Sequence, residues 1–139
     1  MVPLPVIVGD RAFLEGVNIT TSAVAGALRS GTPVSTSRPS PAQFLRVYQQ
    51  AAEGGAERIL SAHLSADLSG TYDAALLAAA DSPIPVTVVD SRSVSMGLGY
   101  GVIAAARALA RDETVSQAAE ALTTTCTETS CLLYTSRCL

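Results

Sequence analysis

The chain has 139 residues, the length of one domain, and 48% of them are apolar, which is enough to build a core. Only 15% are charged and the net charge is -3, which excludes the basic surface that a nucleic-acid-binding protein needs. No apolar run reaches the roughly 18 residues that cross a membrane, and the N-terminus lacks the regions of a secretory signal. We therefore expect a cytoplasmic protein.

Apolar spacing and turn residues predict strands that alternate with helices. In order, the predicted elements are a strand at 2–8, a short extended piece within 13–19, a helix at 23–29, a loop at 32–41, a helix from 41 to 53, a strand at 58–64, a helix at 70–80, a strand at 85–90, a helix at 96–110 and a last helix from 115. Two prolines near its start favour an edge or end position for the first strand. The alternation predicts the α/β class, with α/β/α layers around a mainly parallel sheet.

Three polar loops, at 35–40, 65–71 and 90–95, are the candidate ligand-binding segments. Two of them directly follow predicted strands. Ligands of parallel α/β sheets bind beyond the carboxyl ends of the strands. We therefore expect the three loops to meet at one cleft.

The turn at 65–71 is the most informative segment, because an apolar run ends there in hydroxyl side chains just before a helix. Ser69 is expected to cap this helix, with Ser65 and Thr71 nearby and Gly70 permitting close approach of a ligand. The first N–H groups of a helix lack partners and lie at its positive end, so they attract anions. The segment predicts a carboxylate or phosphate site, and an ordinary helix cap is the alternative.

A small serine hydrolase that uses Ser69 and His63, the only histidine, is a second hypothesis. Such enzymes often carry the nucleophile in a Gly-x-Ser-x-Gly elbow. The residues at 67–71 lack the first glycine of that pattern. His63 lies within an apolar run, which favours a structural role.

Two further patterns predict no cofactor or metal site. The glycines at 97, 99 and 101 partly match a dinucleotide fingerprint, but no strand with an acidic end follows, so close helix packing explains them better. The chain contains no phosphate-binding loop for ATP. Cys126, Cys131 and Cys138 fall in the last 14 residues, are expected to lie outside the core, and match neither a disulfide framework nor a zinc site.

Taken together, three segments closely resemble the DegV family of bacterial fatty-acid-binding proteins. They are Thr-Ser-Arg-Pro-Ser-Pro at 36–41, Ser-Ala-Asp-Leu-Ser-Gly-Thr-Tyr at 65–72 and Val-Asp-Ser-Arg-Ser-Val-Ser-Met-Gly-Leu-Gly at 89–99. Their order and spacing fit the family from residue 2 to about 122.

The resemblance implies that a long-chain fatty acid lies in an apolar tunnel between two α/β domains. It also implies a binding protein rather than an enzyme: the lipid-binding subunit of a bacterial fatty acid kinase system. A separate ATP-binding kinase subunit would convert the bound carboxylate to an acyl phosphate for phospholipid synthesis. The family's carboxylate-binding residues match Thr36 and Ser69. The residues expected to support this site are Ser37, Ser65, Gly70, Thr71, Asp90 and Ser91.

Two departures from the family pattern predict an N-terminal lobe at 1–122. The family's first strand would lie upstream of Met1, which would leave the sheet one strand short. The second domain, with a His and basic residues near the head group, has no counterpart, and nothing in this chain is expected to replace those residues. Residues 131–138 resemble a translated sequencing adaptor. We therefore expect 123–139 to be a non-native or disordered tail.

Overall fold

The structure, a computed structural model, describes residues 1–129, and this range contains five strands and five helices. In chain order they are β1 (Pro5–Val8), β2 (Arg11–Leu14), α1 (Thr21–Arg29), β3 (Val34–Thr36), α2 (Pro41–Glu53), β4 (Ile59–His63), α3 (Thr71–Ala80), β5 (Val86–Asp90), α4 (Met96–Leu109) and α5 (Val115–Glu128). The predicted α/β class is confirmed. None of the helices in the described range is long and apolar enough to cross a membrane.

A parallel pair of strands forms the centre of an α/β/α arrangement. β4 and β5 pair in parallel from Ile59↔Val86 to His63↔Asp90. Because successive side chains of a strand point to opposite faces, the pair presents two apolar surfaces. Val89 on one face packs into a core with α4 and α5. Phe44 and Tyr48 of α2 pack with α3 against the other face.

The N-terminal strands form a separate antiparallel sheet in the order β2-β1-β3. The parallel arrangement expected for the sheet therefore applies to β4 and β5, and not to these three strands. Gly9, with φ of +57°, opens the two-residue turn between β1 and β2, as glycine does in tight hairpins. β1 is the central strand of this sheet and not an edge strand. Its proline, Pro5, is the first residue of the strand, where a missing N–H disrupts pairing least.

The segment predicted as one loop at 32–41 contains strand β3. Val34–Thr36 pairs with β1 in antiparallel register, with Thr36 opposite Val6. A strand of three residues shows no readable alternation, and its pairing partner lies about thirty residues away in the chain. Sequence periodicity therefore missed it. The strand brings Thr36 to the end of the antiparallel sheet.

Helix α5 continues past Thr123, the boundary expected between the lobe and a tail, and ends at Glu128. Cys126 was expected outside the core, but it is buried against α4. The sequence pattern of small and polar residues concealed this packing, because the partner surface is built of glycine and alanine. The adaptor-like segment at 131–138 lies outside the described residues, so the origin of the tail remains a prediction.

Candidate functional site

Helix α3 begins one residue later than predicted. Its N-cap residue is Gly70 and not Ser69, and Gly70 offers no side chain to the helix. The Ser69 hydroxyl nevertheless lies at the helix start. Its Oγ accepts a hydrogen bond from the Thr71 N–H at 3.3 Å and lies 2.7 Å from the Thr71 hydroxyl. Two hydroxyl groups are thereby held together at the positive end of α3.

Backbone N–H groups remain available next to these hydroxyls. The first three residues of an α-helix have no intrahelical acceptor, and in α3 the Ser69 hydroxyl accepts from only one of them. Within residues 1–129, no acceptor pairs with the N–H groups of Tyr72 and Asp73. This end of the helix favours a negative charge. Asp73 is an exposed residue in the first turn, and its carboxylate already interacts favourably with this positive helix end.

The loops after β4 and β5 are bound to each other, as expected from the sheet topology. The Ser65 N–H donates to the Ser93 carbonyl oxygen at 2.9 Å. One carboxylate oxygen of Asp90 accepts from the N–H of Ala66 at 3.2 Å and from the N–H of Arg92 at 2.9 Å. Asp90 therefore joins the two loops through their backbones.

Ser65 and Ser91 have the same kind of role. Both are buried, and the hydroxyl of each accepts a backbone N–H two residues later in its own loop. Their polar atoms shape the loops, and neither presents an exposed hydroxyl to solvent. Of the residues predicted to support the site, Ser65, Asp90 and Ser91 thus act on loop geometry. Gly70 and Thr71 lie directly at the helix start.

Thr36 is one of the residues that line a mostly apolar cavity. The cavity has a volume of about 150 Å³ between the N-terminal sheet and α1. Its lining residues are Leu4, Val6, Glu15, Ile19, Thr20, Thr21, Val24, Val34 and Thr36. Ser37, which follows, donates its backbone N–H to the Pro5 carbonyl oxygen at 3.0 Å, and its hydroxyl lies 3.4 Å from the Arg38 carbonyl oxygen. Its side chain therefore contacts its own loop.

The loop after β3 meets the start of α3 through Arg38. The guanidinium lies on Gly70, so closely that a Cβ at that position would overlap Nη1 and lie 3.2 Å from Cδ and Cζ. Thr36 is two residues from Arg38, and Ser69 is one residue from Gly70. The contact therefore joins the loop that carries Thr36 to the loop that carries Ser69. No basic residue was predicted at this site, although Arg38 stands between its hydroxyl-bearing neighbours in the sequence.

His63 and Ser69, the two residues of the hydrolase hypothesis, belong to separate hydrogen-bond networks. His63 Nε2 lies 2.8 Å from Ser61 Oγ, which lies 2.9 Å from the Tyr48 hydroxyl. The imidazole packs edge-on against Phe44, with ring centroids 5.3 Å apart. Burial lowers the pKa of His63, and the nearby Asp90 carboxylate opposes that shift. These contacts describe a core histidine.

Comparison with known proteins identifies the family. The model of the DegV family, described as "Uncharacterised protein, DegV family", matches residues 1–138. This chain belongs to the DegV family. A DegV domain-containing protein of Streptomyces coelicolor is 47% identical over 133 residues, which is 96% of this chain and 47% of that protein.

Solved DegV structures have the same fold. A DegV family protein from Thermus thermophilus, described as binding fatty acid, superposes with a TM-score of 0.81 at 35% identity, over 91% of this chain and 45% of that one. A DegV lipid-binding protein from Thermotoga maritima gives 0.77 at 28% identity, over 87% of this chain and 44% of its own. The chain therefore spans about half the length of the relatives that it matches.

Proposed function

We propose that this chain supplies the carboxylate-binding part of a fatty-acid-binding protein, with Thr36 and Ser69 as the residues that bind the carboxylate. The observation that carries the proposal is the start of α3, where two hydroxyls and unpaired N–H groups lie together. Hydrogen bonds to an ionised carboxylate contribute about 1.5–3 kcal/mol each. The fatty-acid-binding relatives from Thermus thermophilus and Thermotoga maritima support the choice of ligand.

The cavity beside Thr36 supports an apolar ligand chain. Each buried CH₂ group contributes about 0.8 kcal/mol, so the acyl chain supplies most of the affinity and the hydroxyls supply its orientation. An apolar cavity of about 150 Å³ holds a molecule of roughly the size of benzene. Only a segment of a long acyl chain fits inside. The remainder would lie along apolar surface elsewhere in the complete protein.

The proposed role is that of a carrier and not of an enzyme. A separate kinase subunit would bind ATP and phosphorylate the carboxylate that this protein presents, giving an acyl phosphate for phospholipid synthesis. The carboxylate is bound at a helix start, where its oxygens remain close to solvent and accessible to a partner. Dependence on an ATP-using partner favours a cytoplasmic location.

Titration of the ¹⁵N-labelled chain with octanoate tests the proposal by NMR. Octanoate is soluble, and chemical-shift changes detect even weak binding by this half-length chain. We expect the largest shifts at the amides of Thr36, Ser69, Gly70 and Thr71. Shifts confined to other parts of the chain, or none at saturating octanoate, would contradict the assignment.

A further inference from the structure

We propose that Arg38 is the counter-ion of the ligand's head group and that Gly70 provides the space that holds its guanidinium in place. This inference rests on the proposed function, because it assigns the charge recognition at the same site. It gives the site a cation from within this chain.

The position of Arg38 follows from its neighbours. The Ser37 N–H is bound to the Pro5 carbonyl oxygen on one side, and Pro39 is buried on the other. Ser40 then caps α2 in a capping box with Gln43, with bonds of 2.7 Å and 3.3 Å. The backbone on both sides of Arg38 is therefore anchored. A long and otherwise flexible side chain projects from a fixed point.

Its guanidinium is not engaged elsewhere in the described range. Among residues 1–129 no carboxylate forms an ion pair with Arg38, whereas Arg111 pairs with Glu113 at 2.8 Å. The side chain instead lies over the start of α3, the end of the helix that attracts anions. An unpaired guanidinium and a positive helix end repel each other, and an anion between them relieves that repulsion. A guanidinium also matches the two oxygens of a carboxylate in a bidentate arrangement.

Gly70 makes this arrangement possible. Any side chain at position 70 would overlap Nη1 of Arg38. The overlap involves the flexible end of the arginine, so the guanidinium would move and the backbone would stay. Gly70→Ala therefore displaces the charge without removing it, and Arg38→Gln removes it without filling the space.

The experiment compares octanoate with octan-1-ol, which has the same carbon chain and no charge. We expect Arg38→Gln to weaken octanoate binding about three- to ten-fold, since the pair is exposed and screened, and to leave octanol binding unchanged. The weakening should shrink as salt is raised. Arg46→Gln, which removes an exposed arginine on α2, is the matched control and should bind both ligands as the unchanged protein does.

A double-mutant cycle completes the test. Gly70→Ala alone should weaken octanoate binding as Arg38→Gln does, and the two together should cost no more than either one. Equal loss of octanoate and octanol affinity in Arg38→Gln would indicate a structural role and overturn the proposal. So would unchanged octanoate affinity, which would still leave the proposed function standing. If the unchanged protein binds neither ligand, the proposed function fails as well.

Discussion

Individual hydroxyl groups determine what the start of α3 can bind. Ser69 and Thr71 share one hydrogen bond at 2.7 Å, so one hydroxyl proton is already used between them. Either hydroxyl can donate in this bond, and when Thr71 donates to Ser69 Oγ, the Ser69 proton is left for a carboxylate oxygen. Thr71 is buried and Ser69 is only partly buried, which favours Ser69 over Thr71 as the hydroxyl in the proposed site.

Ser69→Ala removes this donor while the helix keeps its backbone N–H groups. We expect octanoate binding to weaken about ten- to hundred-fold, because one hydrogen bond to a charged group contributes about 1.5–3 kcal/mol. Isothermal or NMR titration measures the loss. Ser116→Ala, an exposed serine on α5, is the control. An unchanged affinity in Ser69→Ala would remove Ser69 from the site.

His63 gives the fold a dependence on pH. Burial lowers its pKa below the ordinary value of 6.5, so the unfolded chain takes up a proton before the folded chain does. The contribution of neutral His63 to the free energy of unfolding is therefore complete above about pH 6.5. It is lost as the pH falls through the pKa of His63 in the folded protein. Urea unfolding at about pH 7 and about pH 5.5 should show a lower free energy of unfolding at the acid value. His63→Gln should reduce this difference, and an equal difference in both proteins would refute the assignment.

At the scale of elements, the helices and the parallel strands were more predictable than the N-terminal sheet. Ser40 and Thr114 form capping boxes, and such starts are predictable because a cap and its partner lie three residues apart, within a short window. β4 and β5 are apolar runs of ordinary length. β3 and the antiparallel pairing of β1 depend on contacts between distant segments, which no local pattern contains. The N-cap of α3 was predicted at Ser69 and is Gly70. The Ser69 hydroxyl accepts from the N–H of Thr71, the first residue of the helix, and not from a residue further along.

The candidate site also depends in part on contacts between distant segments, which the sequence pattern does not show. Thr36, Ser69 and the loops after β4 and β5 could be singled out from their residue types and positions. Arg38 could not, because its importance comes from lying on Gly70, which is 32 positions away in the sequence. Ser65 and Ser91 were predicted to support the site, but nothing in the sequence distinguishes a hydroxyl that shapes a loop from one that faces a ligand.

Close packing of α4 on α5 confirms the structural explanation for Gly101, whereas Gly97 lies against the Ser93 hydroxyl and Gly99 contacts only Met96 of its own helix. A Cβ on Gly101 would overlap the Cys126 sulfur and lie 3.0 Å from the Leu122 carbonyl oxygen. We expect Gly101→Ala to destabilise the fold by about 1–3 kcal/mol, since the helices would have to separate. Gly99→Ala is the control, because its Cβ would meet only Met96 at 3.7 Å. Urea unfolding of both variants measures the difference, and equal stability would contradict the packing argument.

At the scale of the whole molecule, the described lobe leaves large apolar side chains uncovered. Met96, Tyr100 and Ile103 of α4 are 58%, 52% and 45% exposed, and their spacing places them on one face of the helix. Leu77 of α3 is 65% exposed. The three α4 side chains form an exposed apolar stripe, and exposed apolar surface promotes association.

We therefore expect the isolated chain to self-associate as its concentration rises. Replacing Tyr100 and Ile103 together by glutamine should shift sedimentation profiles toward the monomer. Val17→Gln, which changes an exposed apolar residue outside α4, should have less effect. If both variants associate like the unchanged chain, the α4 face is not the contact surface.

The position of Cys126 has a practical consequence. Its thiol is buried between α4 and α5, burial raises its pKa, and its sulfur lies 3.5 Å from the Gly97 carbonyl oxygen. An alkylating reagent reaches the thiolate only when α5 moves away from α4, so the labelling rate at this one atom reports how often the two helices separate. In a variant with Cys131→Ser and Cys138→Ser, the alkylation rate of Cys126 would measure how often α5 separates from α4. Gly101→Ala should increase the alkylation rate of Cys126.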